Sequence, residues 1–173
     1  EAIAGDLLTP LAGAHPAGID ARHDPEHESL RAELDKLNSL AQAAISWPDV
    51  DRLATSILKT KSKDILAASY GAAAWMELSG VPGLLRGVAA VGGLLTRFPD
   101  SAFPLRPRAR ANAVAWLVER ASTWIAENEG LGLDHGAFQT LERVVGQTAT
   151  AARAALGEDC PSFTSLERAV GRL

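Results

Sequence analysis

The chain has 173 residues, a formal net charge of -4 and an isoelectric point near 5.6. Its 47% hydrophobic and 22% charged residues are those of an ordinary globular protein, which excludes intrinsic disorder, while mild acidity argues against a duplex-binding surface. The single cysteine, Cys160, excludes an internal disulfide framework and fits a reducing compartment; no uncharged run reaches the roughly 18 residues of a membrane span, and no basic n-region leads into an apolar leader.

The first 23 residues carry Gly5, Pro10, Gly13, Pro16 and Gly18 and read as an irregular lead-in. Asp24 then has the chemistry of an N-cap, with Pro25 at the first helical position and Glu26 and Glu28 opposing the positive end of the dipole. Leu30, Leu34 and Leu37 continue that helix to about residue 39. Ser46-Trp47-Pro48-Asp49 starts a second, with Val50, Leu53, Ala54, Ile57 and Leu58 on one face. Ser62 is expected to cap a third over 63–79, closed by Gly80. Pro82 opens a fourth over 82–97.

These last two helices are rich in small residues (Ala67, Ala68, Gly71, Ala72 and Ala73; Gly87, Ala89, Gly92 and Gly93). A helical glycine costs about 1 kcal/mol against alanine, so the pattern predicts compensation by a tight antiparallel pair. After a proline-bearing connection over 98–107, a long helix of about 108–128 presents Ala113, Trp116, Leu117, Ala121 and Trp124 inward, and Gly130 ends it. Asp134 caps a helix of about 135–156 with Phe138 inward, and Thr164-Ser165-Leu166-Glu167 fits a capping box for a last one. The fold class is therefore all-α: about seven helices, mostly antiparallel neighbours, in a bundle or short solenoid-like array. We divide the chain into a lead-in (1–23), a helical domain (24–129) and the start of a following helical region (130–173). Because the chain opens on Glu1 and stops at Leu173 within a helical pattern, it is expected to be part of a longer protein.

Candidate chemistry is sparse. His23 and His27 have the four-residue spacing of a helical metal pair, with Asp24 between them, which makes a metal-dependent helical enzyme one alternative. Against it, Asp24-Pro25 starts the helix and leaves His23 outside, so the imidazoles do not share a face. Arg106, Arg108 and Arg110 concentrate positive charge: residues 97–120 hold five arginines against Asp100 and Glu119, while the first forty hold eight acidic against three basic side chains. A nucleic-acid-binding adaptor is a second alternative, but no aromatic interleaves with these arginines, which favours an ion pair with the acidic N-terminal segment or an acidic partner protein. Cys160 has no nearby histidine, no nucleophile elbow or phosphate loop occurs, and Glu127 and Glu129 fall on opposite sides of a helix end. The chain reads as a non-enzyme without cofactor. Trp75, Trp116 and Trp124 read as core, and Trp47 as a staple at a helix start.

Four ordered segments resemble a known family. Pro16-Ala17-Gly18-Ile19-Asp20-Ala21-Arg22-His23-Asp24-Pro25-Glu26 is similar to the lead-in of the ImpA-type N-terminal domain, which begins the TssA proteins of bacterial type VI secretion systems. Trp47-x-x-Val50, Leu58 and Lys61-Ser62-Lys63-Asp64-Ile65 resemble its middle signature. Gly80-x-x-Gly83-Leu84, Phe98 and Phe103-Pro104 resemble its helical pair and following loop, and Arg110-Ala111-Asn112-Ala113-Val114-Ala115-Trp116-Leu117 its Arg-x-Asn-Ala-x-x-Trp-Leu segment. His23 and His27 stand where aromatics are usual, and Pro99 where one is frequent.

The resemblance implies a cytoplasmic assembly protein that helps recruit or prime the baseplate and guide or cap the tail tube and sheath. Its partners would be baseplate, spike, tube and sheath subunits, with homo-oligomerisation through a more C-terminal region and no nucleic acid or membrane insertion. Arg22, Asp24, Pro25, Trp47, Lys63, Asp64, Arg110, Asn112 and Trp116 are the family-motif residues, expected to be mainly structural. Arg110 and Asn112 are expected to tie the long helix to a neighbouring loop, and Arg106 and Arg108 are the candidate protein contacts.

Overall fold

A computed structural model describes residues 3–41, 43–128 and 130–173; Glu129 lies outside them. Among the described residues there are eight α-helices and no named strand: α1 Gly5–Leu8, α2 Pro25–Asp35, α3 Trp47–Thr60, α4 Ile65–Ser79, α5 Val81–Arg97, α6 Pro107–Glu127, α7 His135–Leu156 and α8 Thr164–Val170. Seven correspond to expected helices, and the eighth, α1, lies in the lead-in that was expected to be irregular. None is long and apolar enough to cross a membrane.

The start signals act locally as their chemistry requires. The Asp24 carboxylate accepts the Glu26 N–H at 2.9 Å ahead of Pro25, and Asp134 accepts that of Ala137 at 2.9 Å. Two expected caps are corrected. Asp64 rather than Ser62 caps α4, accepting the Ala67 N–H at 2.8 Å, because Ser62 lies within extended chain that pairs with the lead-in. Thr164 is already helical, preceded by Phe163 as cap residue, so the capping box does not form; the Ser162 hydroxyl takes the Thr164 N–H instead, at 3.3 Å. Leu37, expected to continue the α2 face, lies past the helix and is 39% exposed, since the chain tightens into a 3-10 turn at Lys36–Asn38 that swings it off the apolar face.

Helix α4 is the centre of the bundle. Up to Met76 its sides are small or apolar nearly all round, as a helix enclosed by neighbours must be, and it meets α2, α3, α5 and α6. Against α5 the backbones come into direct contact: a Cβ on Gly83 would strike the Trp75 carbonyl, and one on Gly87 would strike Ala72. The expected glycine stripe nevertheless serves three neighbours, because Gly92 faces Thr148 of α7 and Gly93 faces Leu8 of α1.

Gly83→Ala is expected to lower the unfolding free energy by about 3 kcal/mol, since the added methyl meets backbone that can yield only by parting α4 from α5. Gly146→Ala on the exposed side of α7, where a Cβ meets nothing, should instead raise it by about 0.5–1 kcal/mol. Urea denaturation of both variants checks the contrast.

One core cluster joins α1, Leu58 of α3 and α4–α8, and a smaller one joins Leu30 and Leu34 of α2, Val50, Leu53, Ala54 and Ile57 of α3, and Ala67 and Ala74 on the outer side of α4. Gly130 has φ +99° at the turn after α6, and the helices beyond it share the larger core. Helix α7 packs on α5, where the Thr148 hydroxyl donates to the Val88 carbonyl at 3.1 Å, and α8 packs on α6 and α7. Trp75 and Trp124 are buried. Trp116, expected inside, is only half-buried and meets Tyr70 edge-on, 4.9 Å between ring centroids. Phe138 is also half-buried.

Candidate functional site

The short segment between α3 and α4, Lys61 to Ile65, is where distant parts of the chain converge. On one side the lead-in pairs with it: Ile19 N–H donates to the Lys61 carbonyl at 3.1 Å, and Lys63 N–H to that of Ala17 at 2.8 Å. Gly18, at φ +78° and with the Lys61 carbonyl where a Cβ would stand, must be glycine for this approach. On the other side Phe103 N–H donates to the Lys63 carbonyl at 2.8 Å and Ile65 N–H to that of Phe103 at 2.7 Å. Backbone polarity that helices cannot absorb here is thereby satisfied in a buried place.

The side chains of this segment complete the junction. The Lys63 ammonium, fully buried, donates to the carbonyls of Leu7 at 2.8 Å and Leu58 at 2.6 Å. Asp64 Oδ1 caps α4 while Oδ2 meets His27 Nε2 at 3.1 Å, joining α2 to α4. Lys61 reaches back to Asp24 at 2.8 Å and Glu26 at 3.3 Å; its hydrogen bond holds the Asp24 carboxyl below the usual range. Asp6 pairs with Lys59 at 2.9 Å and Arg86 at 3.1 Å. Among the described residues Asp6, Asp24 and Glu26 thus find their cations on α3, just after it and on α5, and the ion pair with Arg106–Arg110, one of the two readings of the charge pattern, is not formed.

Asp64→Ala removes a cap and the histidine's partner together and should cost about 2 kcal/mol of stability. Asp64→Asn keeps an oxygen for the Ala67 N–H and should cost less than about half as much. Denaturation midpoints of the two variants at neutral pH measure the difference.

The three clustered arginines separate. Arg110 is 7% exposed and points inward, donating to the carbonyls of Pro99 at 2.6 Å and Ala102 at 3.0 Å. Desolvation pushes its guanidinium pKa down, opposed by Asp100. Arg106 and Arg108 are exposed. Asn112 is exposed as well, without a side-chain hydrogen bond among the described residues, so the loop tie expected of Arg110 and Asn112 is made by Arg110 alone. Trp47 is half-buried at the first turn of α3, with the Arg120 guanidinium 5.9 Å from its ring centroid. His23 is exposed while His27 is buried. Among the described residues no group of three or more His, Cys, Asp or Glu is placed to hold a metal ion. Burial pushes the Cys160 thiol up, away from the thiolate that nucleophilic chemistry needs.

Beside this junction a cleft of about 510 Å³ opens between the lead-in, α2 and the start of α6. Arg22, Arg31 and Arg106 line it together with Leu66, Pro104 and Leu105, and His27 and Asp64 form part of the wall. Arg31 holds the lead-in in place by donating to the Arg22 carbonyl at 2.6 Å.

Over residues 8–119 the chain matches the N-terminal family of ImpA, of the type VI secretion system. The chain belongs to that family. Its fold is similar to the N-terminal domain, including the conserved ImpA_N region, of the TssA component of the type VI secretion system from Burkholderia cenocepacia. The TM-score is 0.80 at 19% identity, over 97% of this chain and 89% of that one. No curated protein matches the chain.

The ImpA_N match ends within α6, whereas the structural likeness covers 97% of the chain and so extends beyond that match. Within the ImpA_N stretch, the fold brings Arg22, Asp64 and Arg106 to one cleft and leaves Arg108, Asn112, Trp47 and Trp116 outside its lining. Sequence reasoning missed Arg31, Leu66 and Leu105. Arg31 had a signal: it stands four residues after His27 on α2, hence on the same face.

Proposed function

We propose that this chain is a non-enzymatic assembly module of a type VI secretion system, working in the cytoplasm. It helps recruit or prime the baseplate and guide or cap the tail tube and sheath. Its partners are baseplate, spike, tube and sheath subunits, and it homo-oligomerises through a region C-terminal to this chain. Family membership supports the system, and the TssA component named for the similar structure supports the place within it.

The observation that carries the non-enzymatic reading is how the motif's polar groups are used. Lys63, Asp64 and Arg110 each spend their charged atoms on backbone groups or a neighbouring side chain. Such groups hold a shape rather than present a reacting atom, and a rigid surface is what an assembly module needs. Affinity capture with the full-length protein, against purified baseplate, spike, tube and sheath subunits, tests the proposal. Retention of at least one subunit is expected; retention of none of them overturns it.

A further inference from the structure

The cleft beside the Lys61–Ile65 junction has more charge than its own fold uses. None of Arg22, Arg31 and Arg106 has a carboxylate partner among the described residues. Helix α6 begins at its edge: Arg106 is the cap residue, no side chain caps the helix, and Ala109 of the first turn lines the cleft. The positive end of a 21-residue helix therefore adds to the three guanidinium groups. Asp20 and Asp64 also line the cleft, so three guanidinium groups face two carboxylates. Asp64 is directed to His27 and the Ala67 N–H and Asp20 to the Arg22 backbone N–H at 3.0 Å, so neither carboxylate is paired with a guanidinium and a net positive charge remains. Between the charges lies aliphatic surface from Leu66, Pro104 and Leu105, with Leu105 57% exposed.

We propose that this cleft docks an acidic segment of a partner protein, its carboxylates on Arg22, Arg31 and Arg106 and an aliphatic side chain against Leu66 and Leu105. Charge complementarity selects an anion, and guanidinium groups suit carboxylates by their forked donors. The apolar floor without an aromatic ring suits a leucine-bearing peptide better than stacked bases, which use aromatic platforms. The inference rests on the assembly-module reading and specifies the contact face for it.

The test uses the 173-residue chain and a fluorescein-labelled peptide of about twelve residues, four glutamates around one leucine in a serine-glycine background, read by anisotropy. The peptide should bind, weaken several-fold between about 50 and 300 mM salt, and weaken at least about tenfold when its glutamates become glutamines. Arg22→Glu with Arg106→Glu should abolish binding while leaving the melting curve unchanged, both side chains being exposed. Arg108→Glu, exposed but outside the cleft, should change binding less than about twofold. Absence of peptide binding, equal loss in the Arg108 variant, or tighter binding of a single-stranded oligothymidine to the same arginines overturns the proposal. In the subunit capture described above, loss of a wild-type interaction in the Arg22/Arg106 variant supports it. Retained capture overturns the cleft assignment and leaves the assembly reading standing. Peptide binding without any subunit capture overturns the assembly reading alone.

Discussion

Replacing Arg110 with alanine is expected to lower the unfolding free energy by about 3 kcal/mol, among the largest single effects in this chain. The guanidinium reaches from the first turn of α6 into the loop after α5. There the Pro99 and Ala102 carbonyls accept its N–H groups at 2.6 and 3.0 Å. Ala102 is fully buried, so its carbonyl has no water to fall back on when the donor is removed, and an orphaned buried acceptor costs about 1–3 kcal/mol by itself. The loop held in this way carries Phe103, whose backbone pairs with Lys63 and Ile65, so loosening it reaches the junction at the centre of the fold. Arg110→Lys should restore less than about half of the loss, since one ammonium cannot reproduce two divergent donors of a planar fork. Equilibrium urea unfolding measures the loss, and amide exchange at Phe103 and Ile65 should speed up in step with it. An unchanged midpoint in the alanine variant would show that the loop is held by its own turns.

The helices were legible because their signals are local. Asp24-Pro25, Gly80 and Asp134 mark ends through chemistry confined to one turn, and the apolar spacing of α3, α5 and α7 follows one face. What was not legible depends on residues far apart in the chain. Ser62, Lys63 and Asp64 stand in a row, and the sequence cannot say which of the two capping types acts. Pairing of Lys61–Lys63 with the lead-in keeps Ser62 extended and moves the helix start to Asp64. Helix α1 has four residues, too few for propensity to sustain, and depends on contacts with α3, α5 and Lys63.

The same distinction governs the candidate site. Arg106, Arg108 and Arg110 look like one basic patch along the chain, but the turn into α6 distributes them to the cleft, to solvent and to the interior. The cleft itself joins Arg22 and Arg31 to Arg106, a neighbourhood created only when the lead-in, α2 and α6 assemble. Sequence motifs named several of its residues without locating their common surface.

Lys63 should give the other large effect, and one that changes with pH. Its ammonium binds the Leu7 carbonyl in the last turn of α1 and the Leu58 carbonyl in the last turn of α3, so one side chain satisfies two helix ends whose dipoles favour a cation. Lys63→Ala removes both bonds and a buried stem and should cost about 4 kcal/mol near neutral pH. Lys63→Met keeps most of the packing and relieves the buried charge, and should cost about 2 kcal/mol. Desolvation pushes the Lys63 pKa down to about 8, with Asp6 opposing the shift. The native state therefore releases its proton from about pH 8, whereas the unfolded chain holds it to about 10.4. Over that window the unfolded state binds more protons, so stability rises with pH, by about 2 kcal/mol between pH 7 and 10. The neutral amine still has two N–H groups for its two carbonyls, so the gain carries no loss of hydrogen bonds. Burial also raises the Cys160 and Tyr70 pKa values, which act in the opposite sense above about pH 8.5 and above about pH 10, where an unfolded cysteine and an unfolded tyrosine ionise. Because both proteins keep Cys160 and Tyr70, the wild-type minus Lys63→Met difference in unfolding free energy at about pH 7, 8, 9 and 10 should show this rise, so that the deficit of the methionine variant widens with pH. Parallel pH profiles for the two proteins would mean that the ammonium is solvated in the native state and that burial of its charge plays no part in stability.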